Sequence, residues 1–265
     1  MVKVMYKGQE VEAQIFEKLV PNGVELALKE CEDAKLVPAF VQDIAELRIA
    51  NPSKENEFWQ KWYLTASARI TGTSKGGNKV VAFTHIPTFD SALVKSEREK
   101  GLRNGAGRMP LRSFHNILAE EGNGVQIIGY DDLRKSISGE MSLSKALKHP
   151  MLAPFLNGQD RAERYLEAHK KVYGDNIYLF HSDDFEEGNA VWRGLFVGID
   201  LLVGYGDLFS YGRVLGLPAR AQNFSTGNEG LEQLAGIGTD VGNGLVVVRK
   251  DQISEQIYNT LIRRE

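Results

Sequence analysis

The chain has 265 residues, of which 42% are hydrophobic and 25% charged, with a formal net charge of −3. That composition is ordinary for a globular protein and needs neither a disulfide nor a metal merely to fold, and the slight acidic excess disfavours a non-specific nucleic-acid coat. The single cysteine, Cys31, excludes an intramolecular disulfide and a multi-cysteine zinc site.

Cys31 itself reads as a small apolar helix residue, and its isolation points to a reducing compartment. The first residues, Met1-Val2-Lys3-Val4-Met5, lack the apolar core and cleavage site of a signal peptide. The longest apolar patch, around residues 198–203, carries Asp200 and is far too short to cross a bilayer. These features predict a cytoplasmic protein that does not span a membrane.

In chain order, residues 2–6 alternate as an edge strand should. Residues 10–50 read as helices interrupted by Pro21 and Pro38, within a helical N-terminal subregion spanning 10–62. Phe58, Trp59, Trp62 and Tyr63 form the densest aromatic cluster. Residues 64–70 and 79–83 predict a β-hairpin, and Asp90 opens a charged helix that stops at Gly101. A second helix precedes Gly122, and residues 125–128 form the next strand. A helical excursion over 133–173 ends in an amphipathic helix with Ala162, Tyr165, Leu166 and His169 on one side. Glycines then divide short apolar runs, and Asp251 caps a final helix. The glycine run at 236–244 precedes a strand, whereas dinucleotide-binding glycines follow one. The pattern predicts a single α/β domain over 1–265: a mixed, mainly three-layer sheet with helices on both faces and a Gly-rich, β-rich C-terminal third.

The chemistry concentrates at Ile177-Tyr178-Leu179-Phe180-His181-Ser182-Asp183-Asp184, an apolar strand running into titratable groups. Residues 80–84 end similarly at His85, and residues 125–128 end near Asp131 and Asp132. If these strands were parallel neighbours, their ends would converge. His85, His181 and Asp183 would then hold a divalent metal (Zn, Mn or Mg) that activates water, with His181, Asp183 and Asp184 as the catalytic groups. Arg103 and Arg108, flanking the Gly-rich loop 104–107, and Tyr205 would bind a small anionic substrate. The plain structural alternative makes the aspartates caps and the histidines buried partners of backbone carbonyls. Ser182 lacks the surroundings of a nucleophile elbow.

The leading expectation is therefore a hydrolase of a small anionic molecule. A first rival is a non-catalytic ligand-binding or assembly subunit, with a nucleotide-like ligand in the Gly-rich loops and the cluster at Trp59 and Trp62 packing a homo-oligomer. A second is a metal-dependent nuclease.

Overall fold

A computed structural model of the chain describes residues 2–6, 9–208 and 210–218, and the backbone of two short strands within 239–247. Of Val2 and Tyr205 it describes the backbone alone. The chain divides into two compact units, Met1–Asn223 and Phe224–Glu265. In the second, Thr239–Asp240 pairs antiparallel with Val246–Val247. The helix expected after Asp251 lies outside the described residues, as does most of the glycine run before it.

The first unit opens with β1 (Val2–Tyr6) and β2 (Gln9–Lys18). A strand thus stands where helix was expected from residue 10. The stretch also has period-two spacing: Val11, Ala13 and Ile15 all pack into one apolar cluster. Pairing on both edges of β2 decides the matter against its helix-like charge pattern. Helices α1 (Gly23–Asp33) and α2 (Val41–Ala50) follow, separated by the two-residue strand β3 (Val37–Pro38). The short α3 (Glu57–Gln60) is capped by Asn56, whose side-chain oxygen accepts from the Phe58 N–H at 3.1 Å.

β4 (Tyr63–Thr73) and β5 (Lys79–Thr84) form the predicted hairpin. α4 (Ser91–Glu99) begins at Asp90, which accepts from the Leu93 N–H at 2.7 Å, and the chain leaves it through Gly101 at φ 87°. Then come β6 (Gly107–Pro110), α5 (Leu111–Leu118), β7 (Val125–Gly129) and α6 (Tyr130–Lys135). β8 (Gly139–Ser142), α7 (Leu143–Ala146) and α8 (Leu152–Phe155) lead to α9 (Gln159–Tyr173), which buries the face its spacing predicts. β9 (Asn176–Phe180), β10 (Asn189–Val197), β11 (Leu201–Gly206) and β12 (Gly212–Leu217) complete the unit.

These strands form one mixed sheet centred on β4. One edge of β4 carries β10; the other carries β12 at Leu64 and β5 from Ala68 onward. β10 is shared in the same way, with β6 along residues 189–192 and β11 along 194–197. A bulge between Gly194 and Phe196 bends β10, and the Thr65 hydroxyl donates to the Leu195 carbonyl there at 3.0 Å.

The strand ends do not converge as the sequence led us to expect. β5 and β7 are antiparallel neighbours, so His85 and Asp131 leave the sheet at opposite edges. From β5, β9 lies beyond β4, β10 and β11 and runs in the opposite direction. Apolar strands read as parallel because both faces are covered, but an antiparallel sheet covered on both faces gives the same apolar run. Here alternate residues supply two separate apolar clusters. Val81 and Phe83 join α2 and α9 in one, while Ala82 joins α1 and Phe114 in the other.

The aromatic cluster belongs largely to the core. Trp59 is fully buried against Tyr165 and Tyr173, donates its indole N–H to the Arg48 carbonyl at 3.0 Å, and lies 4.8 Å from the Arg48 guanidinium. It therefore cannot pack the symmetric interface expected of it. Truncating such a side chain leaves a cavity as well as lost burial. Trp59→Ala should destabilise the fold by about 3–5 kcal/mol, read as a shift of the urea midpoint at unchanged slope.

Candidate functional site

His85 sits just past β5 and is 1% exposed. Its Nε2 donates to the Pro154 carbonyl at 2.8 Å, which leaves Nδ1 to accept from the Ser67 hydroxyl at 2.9 Å. Ser67 in turn accepts from the Val41 N–H at 3.0 Å. Both ring nitrogens are thus committed to the protein, with none left for a metal. Burial, opposed by the bond to Pro154, lowers the imidazole pKa to about 4. His149 and His169 are likewise lowered to about 4, chiefly by burial.

His181 lies at the end of β9, its ring centroid 5.7 Å from that of His149. The Ser136 hydroxyl donates to the Leu133 carbonyl and accepts from His181 Nε2 at 3.1 Å. Burial lowers this imidazole too, assisted by the Arg69 charge. Asp183 is exposed, and its carbonyl accepts from the Tyr130 hydroxyl at 2.6 Å. Asp131 lies in the first turn of α6 and pairs with Arg134 at 3.5 Å.

The sharpest electrostatic feature of this region involves two residues that the sequence reading passed over. Arg69 of β4 and Arg193 of β10 stand directly opposite each other across the sheet, and both are buried. Like charges facing each other across strands repel. Asp184 resolves the conflict by accepting from Arg193 Nε at 2.5 Å, from Arg69 at 3.5 Å and from the Ser182 hydroxyl at 2.6 Å. Burial alone would raise the Asp184 carboxyl. The bonds from Arg193 and Ser182 and the two guanidinium charges outweigh it and hold the pKa below its ordinary value.

Arg193 also donates to Asp207 Oδ1 at 2.7 Å and to the Asn104 carbonyl at 2.6 Å. One guanidinium thereby ties together the segments after β9, after β11 and before β6. Gly105, at φ 79°, lets Asp207 close in: a Cβ there would come within 2.3 Å of the carboxylate. Arg103 and Arg108 both reach Glu186, at 3.1 and 3.0 Å. A polar cleft of about 180 Å³ lined by Arg103, Asn104, Asp183, Asp184 and Phe185 results. It contains neither His85 nor His181 among its walls. The Tyr205 side chain lies outside the described residues. A charged residue inside an otherwise apolar strand was the signal available for Arg193; Arg69 lies on the polar row of β4 with Thr65, Ser67 and Thr71.

Asp207 also borders a second hollow, an apolar groove of about 490 Å³. Trp62 and Phe196 line it with ring centroids 5.6 Å apart. The β10–β11 turn closes with Gly198 N–H to the Leu201 carbonyl at 2.8 Å and presents Ile199 (41% exposed) and Asp200. Facing it, the β11–β12 loop presents Tyr211, 55% exposed. The bare Cα of Gly206 is required, since a Cβ would sit 1.8 Å from the Phe196 ring.

No family model matches the chain, and no curated protein matches it. A solved structure from Nanoarchaeota, described as "Accommodation of massive sequence variation in Nanoarchaeota by the C-type lectin fold", matches with a TM-score of 0.72 and 32% identity, over 78% of this chain and 98% of that one. The class is therefore a C-type lectin fold. The chain belongs to the family of that nanoarchaeal protein.

This kinship corrects the hydrolase expectation, and the nuclease with it, because the C-type lectin fold points to binding rather than to hydrolysis by a His/Asp metal centre. The metal-binding expectation is corrected as well. Among the described residues, no group of three or more His, Cys, Asp or Glu side chains could hold a metal ion. Antiparallel β5 and β9, on opposite sides of β4 and β10, explain why His85, His181 and Asp183 are not assembled. Among the described residues no helix is long and apolar enough to cross a membrane.

Two measurements check this picture. Asp184→Asn should leave the paired guanidinium groups without their shared charge and cost about 3–5 kcal/mol in urea unfolding. The buried histidines carry depressed pKa values, so the unfolded chain takes up protons first as pH falls below about 6.5. Stability should be full above that pH, decline as it drops toward about 4, where His85, His149 and His169 titrate in the fold, and level off for these groups below it. Urea titrations at stepped pH read the decline.

Proposed function

We propose that the chain is a non-catalytic binding protein that takes its ligand in the groove between the β10–β11 turn and the β11–β12 loop. One observation carries the reading: in a C-type lectin-fold chain, exposed Ile199 and Tyr211 line a preformed apolar hollow together with the rings of Trp62 and Phe196. Its volume suits a small molecule or a few side chains of a partner. Large apolar side chains in water beside a concave wall mark interaction sites rather than core.

The arrangement separates support from recognition. Arg193 holds Asp207 from below, and Leu208 is fully buried, so the loop is anchored at its start. Ile199 and Tyr211 carry little of the packing and are free to be exchanged. The nanoarchaeal relative's fold is described as accommodating massive sequence variation, and a surface of this kind suits that division. The two apolar clusters on alternate residues of β5 also favour the sheet being the middle of three layers. The nucleotide-like ligand of the sequence-based alternative fits less well. Among the described residues, the charged side chains in the groove wall are Asp200 and Asp207, which oppose phosphate.

Methyl-resolved NMR with a mixed library of neutral, cationic and anionic fragments tests the reading. Hits should perturb the methyl groups of Ile199, Leu201 and Val203. Ile199→Asp and Tyr211→Ala should remove them while moving the melting temperature by under about 2 °C, as surface substitutions do. Hits confined to other surfaces, or unaffected by both substitutions, would refute it.

A further inference from the structure

We infer that the groove is selective for a cationic side chain: its partner is a protein segment that inserts a lysine or arginine flanked by apolar residues. The inference rests on the binding role proposed above and adds the chemistry of the occupant. Two features of the wall carry it.

The first is the combination of lining groups. Trp62, Phe196 and Tyr211 supply aromatic rings, and Ile199, Leu201 and Val203 supply aliphatic surface. Aromatic faces attract ammonium and guanidinium groups, while the methylene stems of lysine and arginine cover apolar walls. A ligand with an aliphatic body and a positive end satisfies both.

The second is the sign of the charge. Among the described residues, Asp200 and Asp207 are the acids of the wall, and no lysine or arginine lines it. The described cations nearby are already engaged. Arg193 is held by Asp184 and Asp207. Arg213 pairs with Glu17 and lies 4.9 Å from the Trp62 ring. Arg48, buried behind the turn, spends its donors on the Tyr165 hydroxyl and on the carbonyls of Phe58, Lys61 and Gly198. Asp207 is neutralised in part by Arg193, so the cation preference is assigned to Asp200, the other acid of the wall, half-buried at the turn. A half-buried charge pair is screened less by salt and solvent than one on an open surface.

The test uses the full chain and three acetylated, amidated tripeptides: Leu-Lys-Leu, Leu-norleucine-Leu and Leu-Glu-Leu. Trp59 and Trp192 are buried, so the fluorescence of Trp62 reports on the groove. The lysine peptide should bind about tenfold more tightly than the norleucine peptide, with the glutamate peptide weakest. Asp200→Asn should erase the advantage of lysine over norleucine, and a melting temperature within about 2 °C of the parent's shows the variant to be folded. Equal binding of the lysine and norleucine peptides, lost together in Tyr211→Ala, would overturn the cation preference and leave the groove as a binding site. An undiminished lysine preference in Asp200→Asn would overturn the assignment to Asp200. Failure of every peptide to bind a groove that still takes neutral fragments would overturn the inference as well.

Discussion

Two buried guanidinium groups facing each other across the central strand pair set the terms for the rest of this molecule. Neither Arg69 nor Arg193 can be solvated where it lies, and each would repel the other if left alone. A carboxylate has to come between them. Asp184 does so from the segment after β9, and Asp207 caps the outer side of Arg193 from the loop after β11. Segments that would otherwise be loose connections are thereby fixed to the sheet at defined points. The polar cleft and the apolar groove both take one wall from this network.

That fixed base explains how a binding surface can be built from loops and turns. The β10–β11 turn and the β11–β12 loop are each anchored by backbone bonds or buried side chains, and each points an apolar residue outward. Preorganised loops lose little conformational freedom when a partner arrives, so more of the contact energy reaches the affinity. The glycines contribute by removing bulk rather than by gripping phosphate. Gly105 admits the Asp207 carboxylate, and Gly206 admits the Phe196 ring.

The histidines illustrate how the same residue type serves structure. His85 joins a serine to a backbone carbonyl within the core, and His169 is packed between Trp59 and Tyr173. Burial keeps them uncharged at neutral pH. From composition alone, such residues cannot be told from metal ligands, because a buried imidazole and a ligating imidazole both sit among apolar neighbours in the sequence.

The sequence by itself determined the local pieces. The hairpin from β4 to β5, the capped helix α4 and the amphipathic helix α9 follow from spacing and caps that act over a few residues. The strand ending at His181 and the polar run after it were legible for the same reason. Strand order was decided only in the tertiary structure, because apolar periodicity says which face is buried but not which neighbour a strand takes, nor in which direction. That choice scattered His85 and His181, turned Asp184 into the counter-ion of two arginines, put β2 between β1 and β12, and brought Trp62, Ile199 and Tyr211, distant along the chain, around one hollow.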